Sequence, residues 1–162
     1  MNWAAVSAIS SLLATAAVVV SVVYLAIQIR RNTKATYSQA HHMTTIALAE
    51  TAATIASSDT LSRLYRLGLS APSELDEDEF FRFSAIATSQ FRTFENLFFQ
   101  YSSGLVSDDF WNGHRENILW FFHRPGVQIW WQGKRLAHSK SFRDFLENSS
   151  EADVASPDTR RI

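Results

Sequence analysis

The sequence predicts an all-α protein in which an amino-terminal transmembrane helix extends into a small cytoplasmic helical bundle. Three observations lead to this fold class. The first 29 of the 162 residues carry no charge, whereas all 15 basic and all 16 acidic residues lie at or after Arg30. Seventeen of the 21 aromatic residues fall between Phe80 and Phe145, many of them at helical spacing. No segment alternates apolar and polar residues as a half-buried β-strand would.

The first predicted element is a membrane span. Residues 4–29 form a charge-free run rich in Ala, Val, Leu and Ile. As a helix this run would be roughly 39 Å long, which exceeds the ~30 Å hydrocarbon core of a bilayer. The triplet Ala14-Thr15-Ala16 resembles a signal-peptidase site, but no Lys or Arg precedes the run, and the run continues well past the triplet. We therefore predict an uncleaved anchor over residues 1–29, with cleavage or a buried soluble helix as alternatives.

The charges after this run predict its orientation and its partners. Arg30, Arg31 and Lys34 follow directly, and no acidic residue occurs before Glu50. Because basic residues flank membrane spans mainly on the cytoplasmic side, we expect the carboxyl-terminal part inside and the amino terminus outside. The lipid bilayer is thus one predicted partner. The net charge of −1 argues against nucleic acid as another.

One face of the predicted span carries small and polar residues at alternating steps of three and four. Small residues let two helices approach closely in lipid, and Ser or Gln can hydrogen-bond across the pair. The pattern predicts association with a second copy or with another membrane protein. The alternative is that the hydroxyl groups bond their own helix backbone. The predicted contact residues are Ser7, Ser11, Ala14, Ser21 and Gln28.

The first helix is expected to leave the membrane and continue. No Pro or Gly occurs in residues 3–56, which favours a helical extension over residues 30–57. The tripeptide Ser-Ser-Asp at 57–59 predicts its end, with Asp59 as the cap of a second helix. That helix is predicted over residues 59–69, closed by Gly68 and by the residues Ser-Ala-Pro-Ser at 70–73.

Residues 58–148 are predicted to form the helical domain. The longest helix, over residues 75–101, begins with acidic residues and carries aromatic residues on one face, so it should be the buried centre. It is expected to end at Gly104. From residue 149 the sequence is polar and without pattern, which predicts a flexible tail over 149–162. Three shorter helices are predicted to begin near Ser107, Pro125 and Ser139.

A polar seam interrupts the aromatic helix at Arg92, Glu95 and Asn96. A partly buried carboxylate with a raised pKa could act as an acid or base, or could line a ligand pocket. Alternatively, Arg92 and Glu95 form an ion pair between positions i and i+3, within a seam that bonds a neighbouring loop. Because the sequence offers no matched second carboxylate, nucleophile or Gly-rich phosphate loop, we favour the structural interpretation.

No cofactor and no metal site is predicted. The absence of cysteine excludes disulfides, iron–sulfur clusters and cysteine zinc sites. His41 and His42 are adjacent, so on a helix they point about 100° apart. His114, His123 and His138 lie in separate predicted elements, and we expect the histidines to face solvent or to cap helices.

A cytoplasmic contact surface is predicted around Arg124, Trp130 and Trp131. Neighbouring Lys134 and Arg135 add positive charge, which together with the tryptophan rings would suit an anionic membrane surface or a protein partner. For the two rings themselves we favour the other interpretation, that they pack in the core of the domain.

Three blocks of sequence stand out together, namely VYLAIQIRRNT at 23–33, FENLFFQY at 94–101 with Gly104, and Pro-Gly at 125–126 with Trp-Trp at 130–131. In these blocks the chain resembles an uncharacterised family of bacterial inner-membrane proteins with a single span and a cytoplasmic helical domain. The resemblance extends over most of residues 1–148. It implies a bacterial inner-membrane location, and it brings no catalytic residue and no cofactor.

These features lead to one main functional hypothesis and two alternatives. The main hypothesis is a non-enzymatic inner-membrane protein that serves as an accessory subunit of a larger membrane complex or as a homo-oligomer. The first alternative is a small membrane-bound enzyme or ligand sensor that uses Glu95 and Arg92 in a helical pocket. The second is a single-span effector that oligomerises into a pore under stress.

Overall fold

The structure is a computed structural model that describes residues 3–150, with the backbone alone described for residues 4–15 and for Lys34. The fold class is confirmed as all-α, because every regular element in the described part is helical. The predicted tail falls outside the described residues from position 151 onward. The helices are α1 (Trp3–Ala56), α2 (Asp59–Ser70), α3 (Glu77–Ser102), α4 (Asp108–Phe122), α5 (Pro125–Lys134) and α6 (Lys140–Glu147), with short 3₁₀ turns at Pro72–Glu74 and Arg135–Ala137.

The chain divides into two compact units, one ending at Gln39 and the other beginning at Ala40. The boundary falls within α1, which runs without a break. The predicted extension at 30–57 is therefore shared between the units. In the second unit, Ala40 and Thr44 are buried and Leu48 packs against the core, so this part of α1 belongs to the bundle.

The first unit is a single helical segment whose described side chains are exposed. In the part of the chain that the structure describes, we find no helix with the length and apolar character needed to cross a bilayer.

Side-chain caps and one glycine determine the ends of α3. Asp76 accepts a hydrogen bond from the backbone N–H of Glu79 at 2.8 Å, and Glu79 accepts one from the N–H of Asp76 at 3.3 Å. This reciprocal capping box explains why the helix begins within the acidic cluster. Arg63 of α2 donates to the other oxygen of Glu79 at 3.0 Å and ties the two helices together. At the other end Gly104 adopts φ +70°, a conformation that glycine enters without strain.

The three shorter helices begin where the sequence predicts. Ser107 caps α4, and its hydroxyl accepts from the N–H of Phe110 at 3.4 Å. Pro125 occupies the first turn of α5, where its missing N–H costs no helical hydrogen bond. Ser139 stands at the N-cap of α6, but its side chain makes no capping hydrogen bond there.

Two sequence predictions for α2 are wrong. The N-cap is Ser58, and Asp59 is the first helical residue. There its negative charge stabilises the helix by interacting with the positive end of the helix dipole. Gly68 lies buried inside α2 and does not close it, although the helix ends at Ser70, one residue beyond the predicted end. A Cβ atom on Gly68 would overlap the ring of Phe83, and a Cβ atom on Gly126 of α5 would overlap the carbonyl oxygen of Gly68. Gly126 is thus needed for the close approach of α5 to α2, and Gly68 for the packing of Phe83 of α3 against α2.

Aromatic side chains form most of the core, with α3 at its centre as predicted. Phe83, Phe91 and Phe94 of α3 are fully buried. The ring of Phe91 lies 5.0 Å from that of Trp130 and 5.9 Å from that of Trp131, measured between centroids. Because each such ring removes ~150–250 Å² from water, the second unit has ample apolar surface for a stable core.

Candidate functional site

Three donors converge on the carboxylate of Glu95 in α3. Arg92 Nη1 lies 2.9 Å from Oε2, and His138 Nδ1 lies 2.8 Å from the same oxygen. The backbone N–H of Ser139 donates to Oε1 at 2.6 Å. Because an ionised carboxylate can only accept, Nδ1 of His138 carries the hydrogen in this contact. Both oxygens of Glu95 are therefore engaged within the protein.

These contacts determine the charge state of Glu95. Partial burial on its own raises the pKa of the carboxyl group, but the hydrogen bonds from Ser139 and His138 favour the ionised form and outweigh that effect. The pKa of Glu95 consequently lies below its ordinary value of 4.5. The acid–base alternative requires a raised pKa, so the lowered pKa does not favour it.

Glu95 also supplies the cap that α6 otherwise lacks. The first N–H groups of a helix have no partner within it, and the positive end of its dipole attracts negative charge. Ser139 is the N-cap residue of α6, and its N–H points at Glu95 instead of solvent. The seam therefore bonds a neighbouring segment, as the structural interpretation of the sequence proposed.

His138 is the residue of this cluster that sequence reasoning missed. We expected histidines to face solvent or cap helices, yet His138 is only 5% exposed. Its ring centroid lies 5.0 Å from that of Trp131 and 5.8 Å from that of Phe142. A separation of 43 positions from Glu95 gives no periodic signal along the chain, so only the tertiary structure reveals the pair.

The other two seam residues differ in their surroundings. Arg92 is half exposed and forms the i to i+3 ion pair with Glu95. Asn96 is exposed and lies outside the cluster. The reason is geometric, because one position along a helix rotates the side chain by 100° from that of Glu95.

The two adjacent tryptophans do not form the predicted contact surface. Trp130 is 3% exposed and Trp131 is 4% exposed, so both pack in the core. The indole N–H of Trp131 donates to Glu147 of α6 at 2.9 Å. Arg135 donates to the same carboxylate through two nitrogens, and its hydrogen bond is the main cause that lowers the pKa of Glu147. This cluster joins α5 to α6.

Arg124, the third residue of the predicted surface, is held against its own unit. Its guanidinium carbon lies 3.6 Å from the ring centroid of Trp120 in α4. A cation over an aromatic face is attracted by the quadrupole of the ring. The half-buried arginine therefore already has an aromatic partner.

Of the predicted membrane contact residues, Ser21 and Gln28 have described side chains, and both are exposed. The hydroxyl of Ser21 donates to the carbonyl of Ala17 at 2.8 Å, which is the alternative that we set against helix–helix contact. The amide of Gln28 makes no hydrogen bond among the described residues. The remaining three, Ser7, Ser11 and Ala14, have side chains outside the described part.

Large apolar side chains surround α1 between residues 16 and 29, and we call this surface the apolar belt. Its members are 46–68% exposed. At 100° per residue they surround the helix except for a sector of about 100°, in which Ser21 and Gln28 lie. Two exposed arginines, Arg30 and Arg31, follow directly. The belt consists of Val18, Val19, Val20, Val22, Val23, Tyr24, Leu25, Ile27 and Ile29.

Comparison with known proteins adds no assignment. No family model, curated protein or solved structure matches the chain. Within residues 3–150, no group of three His, Asp or Glu side chains is arranged so that it could hold a metal ion. The geometry of the described residues must therefore carry any functional argument.

Proposed function

We propose that the protein is a non-enzymatic, single-pass membrane protein of the bacterial inner membrane. Residues 4–29 would span the bilayer, and the helical second unit would lie in the cytoplasm. The protein would act as an accessory subunit of a larger membrane complex or as a homo-oligomer. The observation that carries this proposal is the apolar belt on α1.

The belt is costly to expose to water. Complete burial of a Val, Leu or Ile side chain is worth about 1.5–3 kcal/mol, and the nine large side chains of the belt extend around most of the circumference of one helix. A helix that packs on a domain needs only one apolar face, whereas a helix that is apolar all round is surrounded by protein or by lipid. The charge-free sequence from residue 4 continues this character toward the amino terminus. Lipid is the environment that suits such a helix.

The charges beyond the belt support the cytoplasmic placement of the second unit. Arg30 and Arg31 immediately follow Ile29, and no basic residue precedes the belt. An excess of Lys and Arg on one flank of a span favours retention of that flank in the cytoplasm.

Gln28 supports lateral association within the membrane. An amide that is buried in an apolar environment without a hydrogen bond costs several kcal/mol. The exposed side chain of Gln28 has no such bond among the described residues, and it lies on the face that carries Ser21. A neighbouring helix could satisfy it, and this is the sense in which a partner subunit or a second copy fits the sequence.

Topology can be tested with single cysteines, because the natural chain has none. Asn2→Cys and Ser149→Cys variants would be treated in intact cells with a membrane-impermeant maleimide. We expect labelling of the first variant from outside, and of the second only after the inner membrane is permeabilised. Recovery of the protein in the soluble fraction, or labelling of Ser149→Cys in intact cells, would refute the proposal.

The accessory-subunit role needs a separate experiment. Protein extracted in mild detergent should migrate above the mass of an 18.3 kDa monomer plus its detergent, with itself or with a co-purifying membrane protein. Gln28→Leu should reduce this association, whereas the matched change Ile27→Leu, on another face, should not. A monomer at every concentration, with nothing bound, would contradict the role.

A further inference from the structure

We infer that Arg30, Arg31 and Lys34 form a one-sided site for the phosphate groups of anionic phospholipids at the cytoplasmic end of the span. This inference deepens the proposed function and rests on the membrane placement of residues 4–29. It concerns the first unit alone, in which these three residues are the only charged ones.

Among the described residues, the two arginines of this site have no counter-charge. Arg30 and Arg31 are exposed, and neither takes part in an ion pair among the described residues. The nearest acidic residue in sequence is Glu50, sixteen positions after Lys34, or roughly 24 Å along an α-helix. That distance is several times the ~8 Å screening length at physiological salt. The positive charge must therefore be balanced from outside the first unit.

Helical geometry gathers the three cations on one side of α1. With 100° per residue, Lys34 lies about 40° and Arg31 about 100° from Arg30, so all three fall within about 100°. Gln28 and Asn32 lie about 160° and 200° from Arg30, but Gln28 stands three positions before Arg31 and is only about 60° from it. The cationic side therefore borders the face that carries the predicted protein contact.

The position and the chemistry of the basic residues indicate which ligand they bind. Arg30 follows Ile29, the last residue of the apolar belt, so its guanidinium would lie at the depth of the lipid phosphates. A guanidinium can donate two parallel hydrogen bonds to a phosphate, which suits it to a headgroup. Clustered cations without nearby acids favour a lipid with net negative charge over a zwitterionic one. An anionic phospholipid supplies both the phosphate group and the net negative charge.

Energy transfer from a labelled protein to labelled lipids tests this inference. The full chain with Ala35→Cys would carry a donor dye and be reconstituted in nanodiscs with identical leaflets, so that its orientation does not matter. Acceptors would be acyl-labelled phosphatidylglycerol or acyl-labelled phosphatidylcholine at equal mole fraction. We expect about threefold to fivefold enrichment of phosphatidylglycerol around the protein at low salt. The enrichment should fall toward unity in 0.5 M NaCl.

Paired variants separate charge from other effects. Arg30→Gln/Arg31→Gln should abolish most of the enrichment, and Arg30→Lys/Arg31→Lys should retain most of it. Arg82→Gln, an exposed change in the second unit, is the matched control and should leave it intact. Equal transfer to both lipids in correctly inserted protein, or an equal loss with Arg82→Gln, would overturn the inference alone. Failure of the chain to enter nanodiscs would instead overturn the proposed function.

Discussion

The backbone N–H of Ser139 donates a 2.6 Å hydrogen bond to Oε1 of Glu95, so a carboxylate on α3 caps the amino terminus of α6. The same carboxylate pairs with Arg92 and His138 through its other oxygen. One side chain thus attaches the last helix to the centre of the bundle. Its role is structural in this arrangement, and that assignment can be tested directly.

Glu95→Gln should lower the free energy of unfolding by about 1–3 kcal/mol, because it removes the charge from hydrogen bonds to Arg92, His138 and Ser139. Chemical denaturation of the full chain in detergent would measure the loss. Glu116→Gln, an exposed change on α4, is the control and should fall within about 0.5 kcal/mol of the natural chain. Unchanged stability together with loss of a ligand response would favour the enzyme or sensor hypothesis.

Stability should fall at acid pH. The pKa values of Glu95 and Glu147 lie below their ordinary value of 4.5 in the folded protein. Such groups stabilise the fold at pH values above the unfolded pKa, and this contribution is lost as the pH falls through the folded pKa. Thermal melts should therefore show a declining Tm below about pH 4.5. Glu95→Gln should flatten this decline, and an equally steep decline in that variant would contradict the assignment.

Replacement of glycine by alanine should lower stability at the crowded positions Gly68 and Gly126 and raise it at the open position Gly113. Gly68→Ala and Gly126→Ala place a methyl group into the Phe83 ring or the Gly68 carbonyl, so each should cost about 1–3 kcal/mol of unfolding free energy. Gly113→Ala, in α4, meets no atom within 4 Å and should stabilise by about 0.5–1 kcal/mol. Denaturation midpoints of the three variants would check the signs. Neutral behaviour of Gly126→Ala would show that the helices can separate without cost.

The adjacent tryptophans should respond differently to replacement by phenylalanine. Both are buried to the same extent, but only the indole N–H of Trp131 has a partner, Glu147, while that of Trp130 has none in the described structure. Trp131→Phe should therefore cost about 0.5–1.5 kcal/mol more unfolding free energy than Trp130→Phe, which is the value of one hydrogen bond. Equal losses would mean that the Trp131–Glu147 bond contributes nothing to stability.

Local signals in the sequence predict the elements of this fold well. The acidic start of α3, Ser107 and Pro125 mark helix starts through capping and dihedral preferences, which act over a few residues. The aromatic spacing identifies the buried face of α3 for the same reason. Where a residue has two local interpretations, the prediction fails. Gly68 is typical of a helix end, but its role is to let the ring of Phe83 pack closely against α2.

The candidate site could be predicted from the sequence only in part. The Arg92–Glu95 pair follows from helical spacing, because its members are three residues apart. His138 and Ser139 reach Glu95 across more than 40 positions, and a single sequence carries no record of such a contact. The burial of Trp130 and Trp131 depends on which rings surround them, so adjacency in sequence could not decide between surface and core.

The attachment of α6 has a practical corollary for anyone who shortens the chain. Removal of the residues after Lys134 would deprive the Glu95 carboxylate of hydrogen-bond partners and would expose the indole of Trp131. Trimming the amino-terminal side past Leu48 would likewise remove Ala40, Thr44 and Leu48 from the second unit. A self-sufficient fragment for crystallisation or NMR spectroscopy should therefore start ahead of Ala40 and reach past Glu147.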